Sequence, residues 1–253
     1  MKILNKSDEK VAFVEEIDES LANAIRRSVL EIPVLAIDEV EFYKNDSVLY
    51  DEVLALRLGL VPLENEKNMV LKEECSCKGK GCSKCSVQLK LKAKGPVTVY
   101  SKDLKGKAEI IYGEMPIVKL DEEQELELVA TARLGKGIGH TKFSPGLFYY
   151  RNVAEIEVDK NCEECTKCIK ACPQGILKLE KGKVELIDKY KCDLCEACVE
   201  ECKKYGKDAI KILPGKELVF FIESWGQITA KNILVEAVKA LKDNLKEVEK
   251  ETK

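Results

Sequence analysis

Twelve cysteines fall into three tight groups along this 253-residue chain, and their spacing is the arrangement of metal ligands. The first group is Cys75, Cys77, Cys82 and Cys85, with Gly79 and Gly81 between them to permit sharp turns. Four thiolates this close together can complete the tetrahedral shell of one Zn2+ ion and little that is larger. Zinc accepts sulfur readily and brings no redox chemistry. All four positions are then filled by protein, so no place is left for an activated water, and the expected role is to staple a loop. The remaining eight cysteines form one run written twice: Cys162, Cys165, Cys168 and Cys172, then Cys192, Cys195, Cys198 and Cys202. Three closely spaced thiolates in each run can wrap three corners of an iron–sulfur cube.

The doubled C-x2-C-x2-C-x3-C run is the bacterial ferredoxin pattern, in which the fourth cysteine of each run ligates the cluster of the other half. By that rule one [4Fe-4S] cluster takes Cys162, Cys165, Cys168 and Cys202, and the second takes Cys192, Cys195, Cys198 and Cys172. Two zinc sites are the alternative, and the doubled spacing argues against them. The second copy departs from the pattern. Cys172 is followed by the expected Pro173, but Cys202 is followed by Lys203, and a longer segment (203–208) precedes Ala209-Ile210. Between the runs, 176–180 and 184–187 fit a hairpin turning at Lys181-Gly182. A segment of about fifty residues buries too little apolar surface to be secure alone, so metal bonds are expected to supply what its core lacks. The clusters read first as staples, with redox or oxygen sensing as the sharper alternative.

Composition narrows the function further. Charged residues make up 34% of the chain, yet the formal net charge is only −3. A protein that neutralised many phosphates by itself would show a basic excess, so independent specific DNA binding is not expected. The start, MKILNKSDEK, lacks the apolar segment of a signal peptide. The longest apolar run, 218–222, is far too short to span a bilayer. The expectation is a cytoplasmic protein with no membrane contact, where thiols stay reduced and cysteine clusters hold metal rather than disulfides. Gly135-Lys-Gly-Ile-Gly139-His140-Thr-Lys142 fits neither phosphate-loop spacing. His140, the single histidine, has no acid or nucleophile assigned to it.

The elements that carry these groups follow from periodicity. Asp18 is a helix N-cap. Leu21, Ile25, Ser28 and Ile32 then share a stripe that Pro33 closes, because the residue before a proline is pushed out of the helical region. A β-branched run (34–42) follows, then a short helix over 51–58 that Gly59 can end. Further on, Val87, Leu89, Leu91 and Ala93 alternate with Gln88, Lys90, Lys92 and Lys94, and Leu126, Leu128 and Ala130 repeat the arrangement. This is the pattern of a sheet with one solvated face, so the lysines need no nucleic acid. Strands are expected over 146–160 and 217–223, the latter after a boundary at Pro214-Gly215. Thr229 then caps a long helix in which Leu234, Val238, Leu241, Leu245 and Val248 recur at spacings of four and three, widened by Ala230 and Ala237. Such a seam suits a second helix, and apolar surface beyond what a small sheet can cover points to a partner.

Three stretches carry a resemblance: Ala22-Asn-Ala-Ile25-Arg26-Arg27, Pro33-Val-Leu-Ala-Ile-Asp38 and Arg57-Leu-Gly-Leu-Val-Pro-Leu63. In this order they resemble the amino-terminal assembly domain of RNA polymerase α subunits, most closely the archaeal D form and its eukaryotic counterparts. The resemblance implies a non-catalytic subunit that pairs with the smaller α-like subunit L. That heterodimer then seats the two large catalytic subunits and the small subunits N and P. It implies an α+β fold in three parts: a dimerisation domain (1–44, 146–160, 214–253), an inserted β-rich domain with the zinc loop (45–145), and an inserted ferredoxin-like domain (161–213). Leu21, Ile25, Leu234, Val238, Leu241 and Leu245 would face the partner. Arg26 or Arg27 would lie near a large subunit, and the segment up to Phe143-Ser144-Pro145 would lie against the large subunits. A ferredoxin-type electron-transfer subunit of an oxidoreductase is the competing reading, and it leaves the α-like stretches unexplained. A self-contained zinc or iron enzyme would need an open ligand position or an acid–base pair, and the sequence offers neither.

Overall fold

The computed structural model describes residues 1–65, 68–160, 162, 165–180, 182–206 and 208–252, and of residue 183 only the backbone. The chain opens with β1 (Lys2–Lys6), β2 (Lys10–Glu15), α1 (Glu19–Ser28), β3 (Pro33–Asn45) and α2 (Asp51–Gly59). A β-rich stretch follows: β4 (Val87–Lys94), β5 (Val97–Tyr100), β6 (Lys105–Gly106), β7 (Pro116–Leu120), β8 (Glu125–Lys136) and β9 (Gly146–Val158). Then come α3 (Lys167–Ala171), β10 (Leu177–Glu180), β11 (Lys183–Leu186), α4 (Ala197–Lys204), β12 (Ile210–Ser224) and α5 (Ala230–Glu251). The strands form four sheets, ordered β1-β2-β12-β9, β3-β8-β4-β6, β5-β7 and β10-β11. Two compact units divide the chain. One holds Met1–Lys6, Ala12–Ala22 and Tyr149–Phe221, and the other holds Ser7–Val11, Asn23–Phe148 and Ile222–Lys253. Among the described residues no helix is long and apolar enough to cross a membrane.

The larger unit is built on the β3–β8 ladder, which runs antiparallel from Pro33 opposite Lys136 to Asn45 opposite Leu126. Residues 33–45 therefore lie in the same sheet as β4 and β8. β4 continues the sheet with Leu89 opposite Ala130 and Leu91 opposite Leu128. These inward side chains meet Leu54 and Leu58 of α2 in one apolar core. The outer face behaves as the alternation predicts: Lys92 pairs with Glu127 at 2.7 Å and Lys94 with Glu125 at 3.2 Å, each directly across the ladder. Gly59 has a different role from the expected left-handed cap. It is the last residue of α2 and has an ordinary φ, and an added Cβ would lie 3.4 Å from the Ile37 carbonyl, close to ordinary contact distance.

The opening helix is shorter than its stripe. The Asp18 carboxylate accepts from the Ser20 amide at 2.8 Å, as an N-cap should. The helix stops at Ser28, whose hydroxyl donates back to the Ala24 carbonyl at 2.9 Å. A tighter turn (Val29–Glu31) then delivers Ile32 to the interior at 3% exposure. Pro33 opens β3, a position where a missing amide does little harm. At Asp38 the β3–β8 register skips, and such a bulge re-aims a side chain. The Asp38 carboxylate accepts from Lys142 Nζ at 2.6 Å and from Arg133 Nε. Burial alone would raise its pKa, but these hydrogen bonds outweigh burial and hold it below the usual carboxylate value.

In the same unit α5 begins where predicted, with Thr229 Oγ1 accepting from the Asn232 amide at 3.4 Å. Its buried stripe is Ala230, Ile233 and Ala237, so Ile233 takes the core position and the leucine seam does not.

The smaller unit packs Ala154 of β9, Leu177 and Val184 of the β10–β11 hairpin, Val199 of α4, and Ile210 and Ile212 of β12 around Cys168 and Cys198. The hairpin pairs Leu177 with Leu186 and Glu180 with Lys183, and Lys181 of the expected turn lies outside the described residues. β12 runs unbroken through Pro214 and Gly215, so the strand expected over 217–223 starts earlier, at Ile210. Gly215 permits this because a Cβ would meet the Val153 carbonyl at 2.9 Å.

Two outcomes test this packing. Leu128→Ala should cost about 2–5 kcal/mol in urea unfolding, while Lys92→Ala on the opposite face should leave the midpoint where it was. Asp38 contributes stability that is complete above about pH 4 and is lost as pH falls through its lowered folded pKa. The gap in urea midpoint between the wild type and Asp38→Asn should therefore be wide at pH 7 and should close in acid. An equal gap at both pH values would remove the carboxylate from this role.

Candidate metal centres and partner-facing helices

The segment between α2 and β4 folds around sulfur. Cys75, Cys77, Cys82 and Cys85 bring their Sγ atoms within 4.8 Å of one another. Lys78, Gly79 and Gly81 take left-handed φ values of 54°, 79° and 82°, which fold the backbone back on itself. The Cys82 amide donates to Cys85 Sγ at 3.3 Å. Cys75 and Cys85 are buried, and Cys77 and Cys82 are half-buried. The thiols share charge unevenly. Hydrogen bonding to Cys75, with help from Cys85, brings Cys77 down to about 6. Cys85 gains from the Cys82 amide, but burial and the neighbouring thiols push it up to about 12.

A divalent ion resolves that conflict, because it favours all four thiolates together. The sulfur separations of 3.6, 3.6 and 3.9 Å also suit one ion. Zn–S bonds of about 2.3 Å at the tetrahedral angle place sulfurs roughly 3.8 Å apart. A four-iron cube binds each thiolate at a different corner and would hold them farther apart. The donor set fits zinc.

The eight later cysteines are placed as two copies of one local structure. α3 carries Cys168 and α4 carries Cys198 and Cys202. Each helix is entered through a residue in the left-handed region, Thr166 (φ 57°) and Glu196 (φ 56°), each two positions before the third cysteine of its run. Strain repeated at the same place is the mark of a constrained site. Exposure repeats as well: Cys168 and Cys198 are buried, Cys165 and Cys195 are exposed, and Cys162, Cys172, Cys192 and Cys202 lie between.

The thiols also group across the halves. Burial chiefly raises the Cys168 thiol, and the charges of Cys165, Cys162 and Cys202 add to it. Burial likewise raises Cys198 to about 11, with Cys172 and Cys192 as the neighbouring charges. Cys172, Cys192, Cys195 and Cys198 line one depression walled by Ile176, Leu177, Leu186 and Ile212. Asp193 and Glu196 also line it, but four thiols beside apolar walls fit a sulfide-bridged iron group. The missing proline after Cys202 has a local consequence. Pro173 stops α3 at Ala171, whereas α4 runs on past Cys202 to Lys204.

The expected partner-facing residues differ in exposure. Leu21 and Leu245 are open (45% and 61%), as is Val248, while Ile25, Leu234, Val238 and Leu241 are half-buried. Arg26 is engaged, with its Nε and Nη2 donating to Asn23 Oδ1 at 3.2 and 2.9 Å. Arg27 is exposed. His140 Nδ1 accepts from the Lys142 amide at 3.2 Å and so caps a short turn. Sequence reasoning missed the Asp38–Arg133–Lys142 cluster. Its one visible signal was an acid ending the apolar run of β3.

Residues 40–159 match the family described as the RNA polymerase Rpb3/RpoA insert domain. Residues 154–203 match the family described as a 4Fe-4S dicluster domain. A DNA-directed RNA polymerase subunit Rpo3 from Methanothermobacter thermautotrophicus is 40% identical, over 96% of this chain and 95% of the relative. The Rpo3 subunit of Methanosarcina acetivorans is 39% identical over 97% and 95%, and that of Archaeoglobus fulgidus is 34% identical over 99% and 96%. Similarity that runs nearly end to end, through both the insert domain and the cysteine-rich segment, places this chain in the Rpo3 family of DNA-directed RNA polymerase subunits.

Proposed function

We propose that this chain is the non-catalytic assembly subunit on which a DNA-directed RNA polymerase is built in the cytoplasm. It pairs through α1 and α5 with the small α-like subunit L. The pair then seats the two large catalytic subunits and the small subunits N and P. One observation carries the pairing: α5 buries Ala230, Ile233 and Ala237, yet leaves Leu245 and Val248 exposed at 61% and 58% on its neighbouring face. Apolar residues left open at helical spacing are what a second helix covers. Arg27, rather than the engaged Arg26, is the candidate contact with a large subunit.

Cys75, Cys77, Cys82 and Cys85 hold one Zn2+ ion that staples the loop before β4. Cys162, Cys165, Cys168 and Cys202 hold one [4Fe-4S] cluster, and Cys192, Cys195, Cys198 and Cys172 hold a second. The cross-half neighbours of Cys168 and Cys198 support these sets. When bound, each cluster can carry an electron, and its bonds also close a small core. The division into a dimerisation part (1–44, 146–160, 214–253), a β-rich part (45–145) and a ferredoxin-like part (161–213) belongs to the same reading. The electron-carrier reading accounts for the cysteine-rich half alone, whereas the relatives match nearly the whole chain.

Leu245→Asp should abolish co-purification with L, at a cost of about 2–4 kcal/mol in pairing. The melting temperature of the isolated chain should not move, because that side chain is already open. Unchanged pairing would place the interface elsewhere. Cys77→Ser with Cys82→Ser should remove zinc and leave iron untouched by metal analysis. Cys165→Ser with Cys195→Ser should do the reverse and bleach the visible absorbance. Loss of both metals in either variant would show that the sites are not independent.

A further inference from the structure

Opposite its apolar seam, α5 carries a different stripe. Glu236, Asp243 and Glu247 recur at spacings of seven and four. Each stands two residues after a seam position, which at 3.6 residues per turn is about 200° round the helix. Together with the segment 69–74 and the turn Val29–Glu31, this stripe lines a groove of about 500 Å3. Part of its lining is apolar: Leu71 and Met69, which lean on the core, together with Leu134 and Ala240.

The rim is acidic, with Glu31 and Glu74 added to the three carboxylates of α5 and only Lys136 and Lys239 among them. Lys239 is 3.5 Å from Glu236, and Lys246 is 2.8 Å from Asp243. Glu31 accepts from the Asn244 amide at 2.8 Å. Among the described residues no basic side chain pairs with Glu31, Glu74 or Glu247. Among those residues Glu31, Glu74 and Glu247 thus stand without a cation of this chain beside them, and a basic side chain entering the groove gains attraction from all three.

We propose that this groove receives an extended, Lys- or Arg-bearing peptide segment of a further polymerase subunit, one other than the subunit that covers the seam. The choice of partner rests on the assembly reading. The charge of the rim selects basic side chains and repels nucleic-acid phosphates. The apolar part of the lining offers an anchor for an apolar residue of the same segment. One wall of the groove ends at Glu74, next to Cys75, so the proposed zinc loop holds that wall in place.

The experiment uses the complete polymerase, reconstituted by co-expression of all subunits with either the wild-type chain or Asp243→Lys/Glu247→Lys. The double variant should keep its seam partner and its metals. It should retain one further subunit at least tenfold less well as salt is raised. In parallel, photo-reactive benzoylphenylalanine at Val70, which is 38% exposed on the groove wall, should cross-link to a peptide carrying several lysines or arginines. Equal retention of every subunit at every salt concentration overturns the proposal. So does a cross-link to nucleic acid, to a segment without basic residues, or to nothing. If the double variant fails to fold, the cross-link alone decides. A wild-type chain that captures no polymerase subunit at all would overturn the assembly reading instead.

Discussion

Burial of Ala230, Ile233 and Ala237 against the larger unit's own chain orients the last helix, and its other surfaces follow from that one contact. A helix with 3.6 residues per turn has room for a core stripe, an adjacent apolar stripe and an opposite charged one. The core stripe uses small residues beside one isoleucine, so α5 lies close to the body while its larger leucines project from it. Asn244, one turn beyond Ala240, holds the far part of the helix by donating to Glu31. The distribution explains why Leu234, Val238 and Leu241 are only half-covered and Leu245 and Val248 are open. Their exposure comes from the register that the small residues impose.

Sulfur does in the other parts of the chain what hydrocarbon does in the sheet. Between α2 and β4 the described residues form no regular element over more than twenty positions, and a loop of that length is uncommon in a compact unit without a ligand to hold it. Cys75 and Cys85 are nevertheless as buried as core residues. The cysteine-rich half likewise places Cys168 and Cys198 at the centre of its apolar cluster and draws Ala154 from β9 into the same packing. Its core is therefore wider than the cysteine runs themselves. That width supplies the apolar area that a fifty-residue insert would lack.

The features legible in the sequence were those set by short-range periodicity and ligand spacing. The β4 and β8 alternation, the Asp18 and Thr229 caps, the hairpin and the three cysteine groups each depend on residues a few positions apart. The features that escaped depend on contacts across the chain. Ile233 and Leu234 are equally apolar, and only the packing of α5 decides which is buried. Pro214-Gly215 has the composition of a strand end, but β12 uses the glycine to approach Val153 and continues. The Asp38 cluster depends on a bulge, and the register skip leaves no mark on composition.

Crossed ligation would bind the two halves of the cysteine-rich part more firmly than their short helices could. α3 and α4 pack against each other, but helices of five and eight residues are too short to be stable by themselves. Under the proposed sets, each cluster takes three thiolates from one half and the fourth from the end of the other half's helix. Neither half could then close without the other. Pro173 ends α3 just before its fourth cysteine, while Lys203 lets α4 continue, so the two proposed crossing ligands sit in different backbone settings. Cys172 is held on an extended residue, and Cys202 on a helical one that can fray with its last turn. Under those sets, a cluster that depends on Cys202 would have the less constrained fourth ligand, and damage to the paired structure would begin on that side.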